Sequence, residues 1–361
     1  MTAVLPIDTS VRDAGRAAGG GQLIALAAVA LAVAAFMSLS IGSTGITLTA
    51  LPRVVGALLT GASDAAVARE QLVLLDIRLP RMLLGAFVGS ALAVSGAMMQ
   101  GLFRNPLADP TLVGVSSGAA LAAVATIALG NGLASPWIKT FGVYALPVSA
   151  FAGGVATTFI LVAIVSRQGQ LAVGTLLLAG IALGALSTAL TGLIAFASDD
   201  RELRDLTLWM LGSLSGASWP KVLAIVPFAL AVALVLPRLI RSLNGLLLGE
   251  AEAFHLGIDV ERTKYLIILT TAAAVGAAVA VAGVVGFVGI VVPHLIRLIA
   301  GPDHRVVLPA GALLGGALVL IADVLARMLL RPAELPLGVV MAIIGAPVFL
   351  HMVVKRGAGG V

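Results

Sequence analysis

Long runs of apolar residues alternate with short polar stretches along most of this chain. A helix needs about 20 apolar residues to cross a bilayer, and about ten runs reach or approach that length. They cover 21–42, 79–103, 112–130, 141–166, 171–197, 219–240, 265–284, 287–300, 306–329 and 337–354. The pattern predicts an all-α polytopic membrane protein with about ten transmembrane helices.

The polar stretches divide the chain into one large domain and two short tails. We expect residues 1–20 to be an N-terminal tail, 21–356 a single transmembrane domain, and 357–361 a C-terminal tail. The longest polar stretch of the second half, 241–264, separates the sixth span from the seventh. An even number of spans places both termini on one side, and the basic residues near 241–264 and the C-terminus favour the cytoplasm.

Composition agrees with this pattern, since hydrophobic residues make up 60% of the chain and charged residues 11%. A soluble domain of this length cannot cover so much apolar surface, which excludes that class. The formal net charge is +5, but basic residues beside apolar runs anchor helices to headgroups, so we expect no nucleic acid partner. The absence of cysteine excludes disulfides and thiolate metal sites.

The chain contains no motif for binding nucleotide phosphates. Such a loop ends a glycine-rich turn in Lys followed by Ser or Thr, and Lys139, Lys221, Lys264 and Lys355 lie in no such turn. The four histidines share no metal-ligand spacing with each other or with an acid on one helix face. We therefore expect no ATP site, no metal and no enzymatic activity, which leaves a subunit powered by a partner.

A secondary transporter is the alternative from a different class, and it normally needs ionisable groups inside the bilayer. Only Asp323 lies well within an apolar run, and Arg327 follows it at the spacing of a helical ion pair. A paired carboxylate is a poor proton relay, so the sequence disfavours ion-coupled transport. The pair could steady the end of its helix, line a path or receive a partner.

A short polar helix bounded by glycines is predicted over 248–257. Its faces mix acidic and apolar residues. It could lie on the membrane surface or receive a soluble motor protein, and its periodicity leaves both open.

Several motifs in a fixed order resemble one known family. They are Arg78-Leu79-Pro80-Arg81, Asn105-Pro106-Leu107-Ala108-Asp109-Pro110, Gly286-Phe287-Val288-Gly289, Glu334-Leu335-Pro336-Leu337-Gly338 and Gly345-Ala346-Pro347. Between about residue 45 and residue 356 the chain resembles the permease subunits of bacterial ABC importers for iron chelates, haem and vitamin B12, which are type II importers.

The resemblance implies a homodimer in the bacterial inner membrane, with a pore at the dimer interface and both termini in the cytoplasm. It implies two separate cytoplasmic ATPase subunits, which bind ATP and Mg²⁺, and a periplasmic substrate-binding protein. It implies no cofactor on this chain.

The resemblance also assigns candidate sites. The ATPase-coupling segment would include Gly249, Glu250, Ala253, Leu256 and Gly257, and the arginines that meet acids of the binding protein would be Arg78, Arg81 and Arg327. We expect these arginines to be exposed. Candidate pore-lining residues are Ser95, Met98, Met99, Leu211 and Ser213.

The substrate is indicated only by segment 204–216, which is most similar to the haem permeases of the family. Haem is therefore the expected substrate. Ferric siderophores and cobalamin are the alternatives within the family.

Overall fold

The computed structural model describes residues 9–42, 48–61, 64–130, 132–167, 170–330 and 332–358. These ranges are almost entirely helical. The helices of the first half are α1 (Thr9–Ser40), α2 (Leu51–Thr60), α3 (Ala65–Gln71), α4 (Leu79–Leu102), α5 (Val115–Ala128), α6 (Ser135–Phe141) and α7 (Ala145–Val165).

The second half begins with two short antiparallel strands, β1 (Ser166–Arg167) and β2 (Gln170–Leu171). These strands lie outside the all-α expectation. The helices that follow are α8 (Val173–Ala197), α9 (Asp200–Met210), α10 (Trp219–Leu246), α11 (Glu250–His255), α12 (Val260–Ala282), α13 (Val288–Ala300), α14 (His304–Met328) and α15 (Leu337–Ala358).

The predicted apolar runs all correspond to helices in the described ranges. Seven helical stretches there are long and apolar enough to cross a membrane, and α5, α13 and Leu337–Met352 are shorter apolar helices. The helical membrane fold is therefore confirmed. With 14 residues in α5 and 13 in α13, each is about 20 Å long, less than the ~30 Å hydrocarbon core, so ten complete crossings stay a prediction.

The predicted tails are helical where the structure describes them. Helix α1 begins at Thr9, while the part of it that could cross a membrane is Gly19–Ser40, so the N-terminal tail stays a prediction. Alanines at 14, 17 and 18 favour helix there. At the other terminus α15 extends to Ala358, while 1–8 and 359–361 lie outside the described residues.

Close helix packing in the middle of the bundle depends on particular glycines. A Cβ on Gly89 would overlap the carbonyl of Gly315, and one on Gly96 would overlap the carbonyl of Gly289. These contacts hold α4 against α14 and against the start of α13. Such close packing at small residues is expected in a membrane, because the hydrophobic effect does not drive helices together in lipid. A Cβ on Gly311, by contrast, would make only an ordinary contact, 3.8 Å from Ile296 Cδ1.

The bundle has two chemically different ends. Helices α4 and α14 run antiparallel, since Gly89 meets Gly315 and a Cβ on Gly101 would lie 2.8 Å from His304 Nε2. We call the end with α11 and His304 the coupling end. The opposite end, where α1 and α14 finish and α4 and α15 begin, is the far end.

Candidate functional site

The short helix predicted over 248–257 is present at the coupling end as α11. It lies between Gly249, with φ of 126°, and Gly257, with φ of 76°. A side chain is strained at such angles, so glycine is required for the chain to leave α10 and to enter α12. The two glycines therefore fix the orientation of a six-residue helix.

The side chains of this segment divide into an exposed set and a buried one. Phe254 is 70% exposed, Leu248 65% and Leu256 57%. Ala253 is fully buried, with its Cβ packed toward Gly245. Ala253 therefore packs beneath α11. The expectation that its side chain is available to contact an ATPase subunit is wrong for the free chain.

A buried lysine joins α11 to its neighbours. Lys264 Nζ donates to Glu250 Oε2 at 2.7 Å, to Glu261 Oε1 at 2.9 Å and to the carbonyl of Leu171 at 3.2 Å. Glu261 Oε2 accepts from the Leu171 N–H at 2.8 Å. The hydroxyls of Ser166 and Tyr265 are 2.6 Å apart, so α12 holds both β-strands beside α11.

Sequence reasoning missed Lys264 and Glu261 because they were counted as polar residues before a span. A signal was available, since a lysine three residues after a glutamate at the start of an apolar run forms a local ion pair on a helix. The sequence gives no sign of strand β2, which this ion pair binds at Leu171.

A network of buried charges occupies the far end. The Arg81 guanidinium lies on Asp323, with Nη2 to Oδ1 at 2.8 Å and Nε to both oxygens at 3.1 Å. Arg81 also contacts Glu334, with Nη2 to Oε2 at 2.9 Å and Nη1 to Oε1 at 3.2 Å. The predicted pair of Asp323 and Arg327 is confirmed at 3.1 Å. The Asp323 carboxylate therefore forms ion pairs with Arg81 and Arg327 at the same time.

Two arginines of this network hold the end of α1. Arg327 Nη1 donates to the carbonyl of Ile41 at 2.9 Å, and Arg78 Nη1 donates to the carbonyl of Leu39 at 2.6 Å. Carbonyls at a helix C-terminus have no partners within the helix and carry partial negative charge. The arginines satisfy them, which explains why cations gather there.

The expectation that Arg78, Arg81 and Arg327 are exposed is wrong for the free chain. They are 4%, 9% and 8% exposed, because internal carboxylates and carbonyls already bind them. Their role in docking a binding protein stays a prediction.

The candidate pore-lining residues do not share one surface. Ser95, Met98 and Met99 are fully buried in α4, whereas Leu211 is 37% exposed. Ser213 is partly buried, and its N–H donates to the Ala282 carbonyl at 2.8 Å. The Gly338 N–H donates to Leu211 at 3.0 Å, so the segment after α9 is tied to the end of α12 and the start of α15.

A second buried polar group at the coupling end was also missed. His304, fully buried, has Nδ1 at 2.9 Å from Asn244 Oδ1 and Nε2 at 3.2 Å from Arg297 Nη2. Arg297 Nη2 donates to the Ala97 carbonyl at 3.1 Å. The cluster connects the ends of α4, α10, α13 and α14.

The proline-bounded loop 104–111 closes on itself through two side chains. Asn105 Oδ1 accepts from the Leu107 N–H at 3.0 Å, and Asp109 Oδ1 accepts from the Thr111 N–H at 2.8 Å. Burial raises the pKa of the Asp109 carboxyl, although the hydrogen bond from Thr111 opposes that shift. The loop is structural, and its Pro110 packs on Gly289.

A small apolar cavity lies inside the bundle, between α4, α10, α12 and α14. Its volume is about 210 Å³, and Phe87, Val94, Phe228 and Ala277 are among its lining residues. Pockets that enclose a drug-sized ligand measure roughly 300–1,000 Å³. This cavity is therefore too small to hold a bulky metal chelate.

Proteins of known sequence and structure resemble the chain over most of its length. A cobalamin import system permease protein, BtuC, from Halobacterium salinarum is 42% identical over 93% of this chain and 91% of its own. A hemin transport system permease protein, HmuU, from Yersinia pestis is 47% identical over 78% of this chain and 83% of its own. A structure described as an inward-facing conformation of a transporter of the metal-chelate ABC type matches with a TM-score of 0.78 and 32% identity, over 93% of this chain and 99% of the other.

A family model gives the same result. The model of the FecCD transport family matches residues 30–355, a range that includes the coupling end, the far end and every motif of the resemblance. Members are permease subunits of ABC importers and leave ATP binding to a separate subunit, which excludes the secondary transporter. The chain therefore belongs to the FecCD transport family and is a multi-pass permease subunit of an ABC importer.

Proposed function

We propose that two copies of this chain form the membrane pathway of an importer for haem. One observation supports this assembly best: an exposed short helix, suited to contact with a soluble motor protein, lies at the opposite end of the bundle from the arginine network. Cytoplasmic ATPase subunits would bind the coupling end, and a substrate-binding protein would bind the far end. The coupling end and both termini would then be cytoplasmic.

The size of the internal cavity and the exposure of α8 support the proposed homodimer. The cavity of about 210 Å³ is too small for a macrocycle, so we place the path between two copies of the chain. Helix α8 is long and apolar, yet only 17% of an 18-residue apolar stretch of it is buried. Leu193 is 64% and Phe196 90% exposed. A second copy packed near α8 would cover part of that face, and the segment with Leu211 and Ser213 would lie close to the path.

The contact with the ATPase is proposed at the exposed residues Phe254 and Leu256, with Glu250, Gly249 and Gly257 shaping the segment. Exposed aromatic and aliphatic side chains on a rigid helix are typical anchors of a protein interface. A six-residue helix held by two glycines and an ion pair moves as one piece, so it can transmit a motion from a motor subunit.

Haem is the first candidate substrate because the hemin permease HmuU shares 47% identity with this chain. Cobalamin is the second candidate, since the cobalamin permease BtuC matches over a larger share of the chain, 93%. Both contain a large macrocycle that carries a metal. We propose that ligation of the metal stays with the binding protein, because the candidate pore-lining residues include no His or Tyr.

Uptake by the complete importer, reconstituted in proteoliposomes, tests the substrate. We expect ATP-dependent accumulation of haem when the permease, ATPase and binding protein are all present, and none when the ATPase is omitted. Haem, cobalamin and a ferric siderophore should be compared in parallel. Uptake of cobalamin without haem would contradict the haem assignment and leave the family unchanged.

Docking of the binding protein is proposed at the far end, with a carboxylate of the partner reaching Arg81. In the free chain the Glu334 carboxylate already forms an ion pair with the Arg81 guanidinium, and the Glu334 side chain is 37% exposed. A carboxylate of the partner must then compete with Glu334. Arg78 and Arg327 would contribute positive potential from behind, which favours encounter with an acidic surface.

Replacing Glu334 with glutamine is expected to strengthen that docking. Loss of the competing charge should raise the affinity for the binding protein about threefold or more at low salt, since even a fully exposed ion pair contributes up to about 1 kcal/mol and Arg81 is largely buried. Asp205→Asn, an exposed change on α9, is the matched control. Equal or weaker binding by Glu334→Gln, measured by surface plasmon resonance, would show that Arg81 does not receive the partner.

A further inference from the structure

The ammonium of Lys264 is saturated with partners from three different elements. A lysine has three N–H donors, and here they bind Glu250 of α11, Glu261 of α12 and the Leu171 carbonyl of β2. Lys264 is only 4% exposed. A lysine so enclosed by opposite charges has one arrangement available, so the elements it joins are held in a fixed relation.

Leu171 is held at both of its backbone groups. Glu261 accepts from its N–H at 2.8 Å while Lys264 donates to its carbonyl at 3.2 Å. A side-chain ion pair thus replaces the partner strand that β2 lacks on this edge. The bond between Ser166 and Tyr265 secures β1 in the same way.

The held strand leads directly into α8. Helix α8 begins at Val173, two residues after Leu171, and it is the long apolar helix with the exposed face described above. A displacement of α11 is therefore passed through one ammonium group to the start of α8. Among the described residues, the ion pairs of Lys264 are the only ones that join α11 to another element.

We propose that Lys264 is a positioning residue that couples movement of α11 to movement of β2 and the start of α8. This inference rests on the proposed function, in which α11 meets the ATPase and α8 lies beside the path. Without the ammonium, α11 would still meet the ATPase, but its motion would no longer reach α8. ATP would then be hydrolysed with little transport.

The test compares two basic residues on the same turn of α12. Lys264→Gln removes the coupling group, while Arg262→Gln is the control because the Arg262 side chain is 90% exposed and contacts only Asp259 among the described ion pairs. In the reconstituted importer we expect Lys264→Gln to lower substrate transported per ATP by about fivefold or more, the lower range of coupling between sites. Arg262→Gln should retain the wild-type ratio, and equal ratios for the two variants would overturn the proposal.

A distance measurement tests the linkage without any substrate. The chain has no cysteine, so spin labels on Gln170→Cys and Ala251→Cys would be its only labels, and both positions line one groove of about 760 Å³. With the ATPase bound, we expect the label distance to be the same in the nucleotide-free and ATP-trapped states. In the Lys264→Gln background it should change between them. A change in the otherwise wild-type chain would overturn the proposal.

A second variant covers the case in which Lys264→Gln does not fold. Glu261→Gln keeps the shape, but an NH2 donor replaces one of the two carboxylate oxygens that accept from Lys264 and from the Leu171 N–H. One of these two donors would then face another donor. This variant should also lower transport per ATP, and a wild-type ratio would refute the inference. If the wild-type importer carries neither haem nor cobalamin, the substrate assignment fails, yet the label distances still decide the linkage.

Discussion

Replacing Asp323 with asparagine is expected to destabilise the permease more than any other single change at the far end. Asp323 is 1% exposed and binds both Arg81 and Arg327. The variant keeps the volume but leaves Arg81 with Glu334 as its remaining carboxylate and Arg327 with the carbonyls at the end of α1. Removing one partner of a buried ion pair typically lowers the free energy of unfolding by about 3–5 kcal/mol.

Thermal unfolding in detergent measures this effect. Asp205→Asn is the control, since it makes the same chemical change at an exposed position on α9. We expect a large fall in the unfolding midpoint for Asp323→Asn and a small one for Asp205→Asn. Equal midpoints would mean that Glu334 is a sufficient partner for Arg81, and the α1 carbonyls for Arg327, without Asp323.

The helices could be predicted because their signal is local. Each apolar run is set by consecutive residues, and α11 is set by Gly249 and Gly257 at its two sides. The ion pair of Asp323 with Arg327 was predictable for the same reason, as four residues span one helical turn. In each case the information lies within a few residues of the feature.

The burial of Arg78, Arg81 and Arg327 could not be predicted, because their partners are distant in sequence. Arg81 meets Asp323 across 242 residues and Glu334 across 253. A run of arginines at a helix end is more often exposed and anchored to headgroups. Only the packing of α4 against α14 reveals that these arginines close an internal network.

The strands β1 and β2 were missed for a different reason. Two residues are too few to show the alternation that identifies a strand, and 166–171 resembles an ordinary polar connection. Their stability comes from Glu261, Lys264 and Tyr265, which lie about 90 residues further along the chain. The coupling segment is consequently larger than its helix.

Truncating Phe254 is expected to have the largest effect on assembly. Its ring is 70% exposed at the coupling end, where it is the largest of the exposed apolar side chains of this segment, with Leu248 and Leu256 beside it. Burying a large aromatic side chain at the centre of an interface commonly contributes 2 kcal/mol or more, which corresponds to roughly 30-fold in affinity. Phe254→Ala should therefore weaken binding of the ATPase subunit by about that factor and abolish ATP-driven uptake at limiting ATPase concentration.

The matched control is Phe159→Ala, which removes an equally large ring that is 60% exposed on α7, within the apolar span. It should leave ATPase affinity unchanged in nanodiscs, because its surroundings are lipid and not the coupling end. Comparison of the two separates loss of an interface anchor from a general effect of removing an exposed ring. If Phe254→Ala binds the ATPase as tightly as Phe159→Ala does, the contact is not made by α11, and the role of Lys264 as a coupling residue loses its basis as well.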